Sequence, residues 1–179
     1  LEGRLNTEDI MSGSVSGDSW MFSRKVRHLL EDDEAALRAF AYSPGISLAR
    51  WQDRLGKKPI HTYFLERDQG GGRGTPHASE LAYIFGTLDL RPGEETKTPF
   101  DYDLSDKFTS YWCNFARTGD PNGDGLPAWP AYTERTPVAL HGTDEYLRAE
   151  NIVDNARAEQ VIEYTIAHPG MLESAEDLL

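Results

Sequence analysis

A single cysteine, Cys113, among 179 residues excludes an internal disulfide and any Cys-x-x-Cys redox or zinc pair. Long apolar runs are missing too. None approaches the roughly 18 residues of a membrane span, and the N-terminal residues lack the basic-then-apolar layout of a signal peptide. Positive charge is scarce, with 18 Lys and Arg against 30 Asp and Glu and a formal net charge of -12. That balance repels phosphate backbones and anionic headgroups, so neither nucleic acid nor a membrane surface is an expected partner. The short basic clusters, Arg24-Lys25-Val26-Arg27 and Lys57-Lys58, have no aromatics interleaved with them, as a nucleic-acid surface would require. No initiator methionine opens the chain; Leu1-Glu2-Gly3-Arg4 fits a fragment, a processed chain or a tag remnant. What is present, 39% hydrophobic and 11% aromatic residues, suits one domain over residues 1–179 that buries roughly two-thirds of its unfolded surface.

Three breaks divide the chain. Residues 12–18 are rich in Ser and Gly and read as a loop. Residues 68–76 hold four glycines and end in proline, which neither a helix nor a strand continues cheaply. Residues 119–127 are turn-forming throughout. Between them, apolar spacing predicts one helix or two short ones over 23–40 and another over 47–55, stopped by Gly56. Residues 59–65 alternate with apolar residues on both faces, the pattern of a strand covered on two sides. The strongest helix signal spans 103–118, with Leu104, Phe108, Trp112 and Phe115 on one face, Asp103 as N-cap and Gly119 past its end. A short strand over 137–141 and a helix over 155–167 complete the pattern, and two convincing strands are too few for a complete doubly wound sheet.

Chemistry-bearing residues are sparse. His77 follows the glycine-rich loop and opens the apolar string Ala78-Ser79-Glu80-Leu81-Ala82-Tyr83-Ile84-Phe85-Gly86. That position suits either a neutral imidazole projecting into a cleft as general base or a plain surface histidine. His28, His61, His141 and His168 lie on periodic elements or beside turns and read as structural. Ser19 in Gly17-Asp18-Ser19 is followed by Trp20 and Met21, too bulky for the strained turn of a nucleophile elbow, and no Gly-x-Ser-x-Gly occurs. Asp120-Pro121-Asn122-Gly123-Asp124-Gly125 imitates the start of a calcium loop, but the position needing a bidentate glutamate is Ala131. His77-x-x-Glu80 has no third ligand at useful spacing. Neither a metal nor a cofactor is expected.

Taken together, these strings resemble the C-terminal part of a type B carboxylesterase, in the cholinesterase-like α/β-hydrolase family. The matching pieces run in order from Pro59 to Tyr132: the Tyr63-Phe64 strand, the loop into His77-Ala78-Ser79-Glu80-Leu81, Ser110-Tyr111-Trp112-Cys113-Asn114-Phe115-Ala116-Arg117-Thr118-Gly119-Asp120-Pro121, and Leu126-Pro127-Ala128-Trp129-Pro130. The resemblance implies an α/β fold, specifically the C-terminal portion of an α/β-hydrolase fold, helix-rich with few strands and incomplete without upstream residues. It makes His77 the base of a Ser-His-Glu triad. The family's acid sits in an Asp-Glu-Gly string, which Leu1-Glu2-Gly3 approximates; Glu2 is therefore either the triad acid or part of a tag remnant. The family's nucleophilic serine and glycine-rich oxyanion loop have no counterpart here and would lie upstream. Residues 11–45 match poorly, as a shortened or divergent cap region would.

The resemblance thus implies a carboxylic ester hydrolase, a small-molecule ester as substrate, an upstream polypeptide carrying the serine, and little activity from this chain alone. Trp112, Phe115, Trp129 and Tyr132 are expected to pack helix and turn onto the sheet, since aromatics at helical spacing are usually core. Two other classes remain open: a noncatalytic esterase-like interaction domain, and an independently folded acidic binding domain.

Overall fold

The computed structural model describes residues 8–19, 33–68, 74–90 and 97–167. Their elements in chain order are β1 (Met11–Val15), α1 (Glu34–Arg54), β2 (His61–Leu65), α2 (Glu80–Ile84), a 3-10 turn (Leu88–Leu90), α3 (Pro99–Thr118), β3 (Ala139–Gly142), β4 (Leu147–Glu150) and α4 (Ala156–Ala167). The strands form one sheet in the order β1-β2-β3-β4. β1 and β3 flank β2 in parallel, and β4 returns antiparallel to β3.

β2 carries the two-sided burial that its sequence predicts. Phe64 points into a cluster with Tyr42, Ile46, Ala49, Val161 and Ile162 from α1 and α4. Leu65 points the other way, into Val15, Tyr83, Leu104 and Phe108 from β1, α2 and α3. Successive strand residues face opposite sides, so an apolar run is what a strand between two helical layers requires. Trp129 is fully buried and donates its indole N–H to the Thr62 carbonyl at 2.9 Å, and Tyr132 is buried against the α1 side.

Three local expectations are corrected. The Ser/Gly-rich run expected to be a loop over 12–18 instead forms most of β1, paired with β2 from Met11↔His61 to Val15↔Leu65. The segments expected as separate helices over 23–40 and 47–55 are continuous from Glu34, through Pro44 and Gly45, to Arg54; residues 20–32 lie outside the described part. Pro44 lacks the N–H that would reach the Phe40 carbonyl, and the Ser43 hydroxyl donates to that carbonyl instead at 3.2 Å. α3 starts four residues earlier than Asp103 suggests, because Thr98 and Asp101 form a reciprocal capping box and Pro99 takes the first turn. β4 is an additional strand that the sequence pattern did not reveal.

Gly45 sits inside α1, and a Cβ there would meet Gly13 Cα and Ser12 Oγ at an ordinary 3.8 Å. Gly45→Ala is expected to stabilise the protein by roughly 0.5–1 kcal/mol, read from the urea unfolding midpoint, because it removes unfolded-state freedom without a clash.

The loop that leads to His77 is anchored at its start by a buried ion pair. Arg67 Nε and Nη2 donate to the two carboxylate oxygens of Asp101 at 2.9 and 3.1 Å, and the Tyr83 hydroxyl adds a bond of 2.8 Å. Burial alone would raise this carboxyl's pKa, but the Arg67 guanidinium, the Thr98 backbone N–H and the Tyr83 and Thr98 hydroxyls hold it well below the usual carboxylate range. A carboxyl depressed in the fold adds stability that is present above its unfolded value, about 3.9, and lost as pH falls through the folded one. Wild-type thermal midpoints should therefore drop steeply below about pH 4. Asp101→Asn should lower the neutral-pH midpoint and flatten that acid limb, as circular dichroism melts would show.

Candidate functional site

β1 ends at Val15 in a tight turn, Ser16-Gly17-Asp18. The Ser16 N–H bonds the Leu65 carbonyl of β2 at 2.9 Å, and the Gly17 N–H bonds the Thr75 carbonyl at 2.9 Å. In return the Thr75 N–H donates to Ser16 Oγ at 2.8 Å. These bonds tie the β1 turn to the far end of the loop that carries His77. Gly17 is required by the closeness of that approach, since a Cβ would overlap the Thr75 carbonyl oxygen.

Across this seam His77 Nδ1 meets Asp18 Oδ1 at 2.6 Å. The other carboxylate oxygen, Oδ2, accepts from the Val15 N–H at 3.2 Å, so the last residue of β1 fixes the acid. A carboxylate only accepts, so Nδ1 is the ring nitrogen that donates, and in a neutral ring Nε2 is then the acceptor. The His77 side chain is 45% exposed while that of Asp18 is 15%, the arrangement of an open base backed by a sheltered acid. Ala78 holds φ at 61°, the one non-glycine in the left-handed region among the described residues. Such strain in a β-carbon residue costs of order 1–3 kcal/mol and persists where the surroundings impose it. The following turn is closed by the Ser79 N–H and hydroxyl, both donating to the Pro76 carbonyl, before α2 begins.

Of the two site residues implied by the sequence, His77 is thus placed on the surface beside an acid, while Glu2 lies outside the described residues. The acid that meets His77, Asp18, stands in a string whose only local chemical signal is its serine. Ser19 is buried and donates its hydroxyl to the Ser16 carbonyl at 2.9 Å. The usable signal was a carboxylate one turn beyond a run of small residues, but nothing local points across the 59 residues to His77.

The other histidines in the described part have structural surroundings. His61 packs edge-on against Trp129 and Phe115, and burial lowers its pKa against the opposing charges of Asp120 and Asp9. His141 lies between carboxylates, Nδ1 at 2.7 Å from Glu150 and Nε2 at 2.7 Å from Glu66, and stacks on Phe64. His28 and His168 lie outside the described residues. In the calcium-loop imitation, Asp120 accepts from the Asn122 backbone and side chain, and Asn122 binds Trp129 N and O, which makes it a turn that fixes the tryptophan. Among the described residues no cluster of His, Cys, Asp and Glu could hold a metal ion.

The family model of the carboxylesterase family matches residues 21–160. The chain belongs to the carboxylesterase family. Dog carboxylesterase 5A is 34% identical over 137 residues, 70% of this chain and 22% of that protein. Chicken acetylcholinesterase is 40% identical over 90 residues, 47% of this chain and 11% of its own length. Among solved structures, a PNB esterase superposes with a TM-score of 0.54 at 28% identity, over 66% of this chain and 24% of that one. A thermophilic PNB esterase, at 22% identity and a TM-score of 0.57, supports the fold alone. The fold is accordingly part of an α/β-hydrolase, and the chain spans only about a fifth of the carboxylesterase 5A length it matches. Within this carboxylesterase portion, β1 is paired on one side only among the described residues, and Asp18 and His77 stand at its carboxyl end.

Proposed function

We propose that this chain supplies the base and the acid of a serine carboxylic ester hydrolase, His77 and Asp18, to a nucleophilic serine carried upstream. The observation that carries the reading is the 2.6 Å contact between His77 Nδ1 and Asp18 Oδ1, made by a histidine side chain that stays 45% exposed. Family membership supports the reaction class, and the half-paired β1 supports a further strand beside it. Asp18 takes the role that Glu2 would otherwise fill.

In the reaction, Nε2 of His77 accepts the serine proton as Oγ attacks the ester carbonyl. The imidazolium then returns that proton to the departing alcohol, leaving an acyl-serine. Water repeats the sequence, with Nε2 again taking a proton, and releases the carboxylic acid. Asp18 keeps the ring in the tautomer that can accept, and its charge stabilises the imidazolium. Oxyanion donors upstream would hold the tetrahedral intermediate, and losing one such donor typically costs about 100- to 1000-fold in kcat. This chain alone is therefore expected to turn over esters poorly.

The test is turnover of a chromogenic acetate ester by this chain alone and joined to its serine-bearing portion. Turnover that needs both supports the assignment. An assembled protein that binds but never hydrolyses the ester would favour the noncatalytic interaction domain.

A further inference from the structure

β1 runs beside β2 in the register that pairs Val15 with Leu65, and the Ser16 N–H continues that ladder to the Leu65 carbonyl. One residue later the turn changes partner. The Gly17 N–H donates to the Thr75 carbonyl at 2.9 Å, and the Thr75 N–H donates to Ser16 Oγ at 2.8 Å. The Ser16–Thr75 bond and the Asp18–His77 contact each span 59 residues, so acid and base lie two positions further along the same pairing of turn and loop. In a parallel pairing a backbone carbonyl would take the Thr75 N–H. The Ser16 carbonyl instead faces back into its own turn, accepting from the Ser19 hydroxyl at 2.9 Å with the Ser19 N–H at 3.4 Å. The Ser16 hydroxyl oxygen takes its place. Thr75 is 1% exposed, so without that oxygen its N–H would lose its acceptor where water scarcely reaches. The pairing has no slack: Gly74, at φ 73°, has Ser16 Oγ where a Cβ would stand, and Gly17 has the Thr75 carbonyl oxygen there.

We propose that Ser16 is a positioning residue for the Asp18–His77 pair: its hydroxyl oxygen, by holding the Thr75 N–H, fixes the register that brings Nδ1 of His77 onto Asp18. Ser16 acts through the loop backbone, two residues before the base, and takes no proton itself. This inference rests on the assignment of Asp18 and His77 made above.

Ser16→Ala keeps the Cβ and removes only the acceptor. Two readouts separate positioning from packing. In the 179-residue chain, the nitrogen NMR shifts of the His77 imidazole report which ring nitrogen carries the proton of the neutral ring. That proton is expected on Nδ1 in the wild type, and in Ser16→Ala it should redistribute toward Nε2, the preference of a free histidine side chain. In the assembled enzyme, kcat on a chromogenic acetate ester should fall about 10- to 100-fold, the cost of a slightly misplaced catalytic group, at nearly unchanged KM. Ser16→Thr, which keeps the hydroxyl oxygen, should retain both the tautomer and the rate. An unchanged tautomer in Ser16→Ala would overturn the proposal, whether kcat holds or falls along with the thermal midpoint, because Ser16 would then only pack. A shifted tautomer with kcat unchanged would take the Asp18–His77 pair out of the reaction and overturn both readings. If the tautomer shifts in a protein that hydrolyses no ester even as wild type, the esterase reading fails and the positioning of His77 by Ser16 stands.

Discussion

Replacing Asp18 by Asn in the assembled enzyme should lower kcat on the order of 10⁴-fold while leaving KM and the fold nearly unchanged. The size follows from what one oxygen can do where two were used. Asp18 accepts from the Val15 N–H through Oδ2 and from His77 Nδ1 through Oδ1. Asn has a single carbonyl oxygen. If that oxygen stays with the Val15 N–H, the amide NH2 faces Nδ1, which must then accept. The ring proton moves to Nε2, and the imidazole can no longer take a proton from serine. Steady-state kinetics with melts as a folding control measure this directly. Glu2→Gln should leave the rate unchanged; a large loss there, with Asp18→Asn silent, would return the acid's role to Glu2.

His77→Ala should abolish turnover, by at least about 10⁴-fold in kcat, because it removes the imidazole assigned to take the serine proton. The same change should be nearly silent for stability. The side chain is 45% exposed and its contact with Asp18 lies at the surface, so the expected shift is within about 0.5 kcal/mol. The contrast between a lost rate and a retained melt separates a catalytic group from a loop anchor. Near-normal turnover by this variant would remove the base from the assignment.

How much of this was legible in the sequence depends on whether the information was local. β2 was legible because both of its faces are buried, and a short run apolar on each face has few other uses. α3 was legible through its apolar stripe, but its start was not. The decisive signal was the Thr98-Pro99 pair with Asp101 rather than the acid at 103. β1 was hidden by composition. Ser12, Gly13 and Ser14 have little strand propensity of their own, and their conformation comes from pairing with β2 and from the need to leave Gly13 bare beneath Tyr63. α1 looked like two helices because Pro44 interrupts it, and the repair by the Ser43 hydroxyl is visible only in three dimensions.

The site divides in the same way. His77 was legible from its string and its position after a glycine-rich loop. Asp18 was not, because its partner lies 59 residues away, brought near by the Gly17–Thr75 and Ser16–Thr75 bonds. Proximity created by parallel strand pairing leaves no periodic mark in either segment.

His77 and Asp18 are proposed to activate a serine that lies upstream of this chain. Intact-mass analysis after reaction with a fluorophosphonate, which labels an activated serine, tests that claim most directly. The label is expected to add to the upstream portion when wild-type chain is present and to fail to add when His77→Ala replaces it. Label on the 179-residue chain itself, or label that no longer depends on His77, would contradict it.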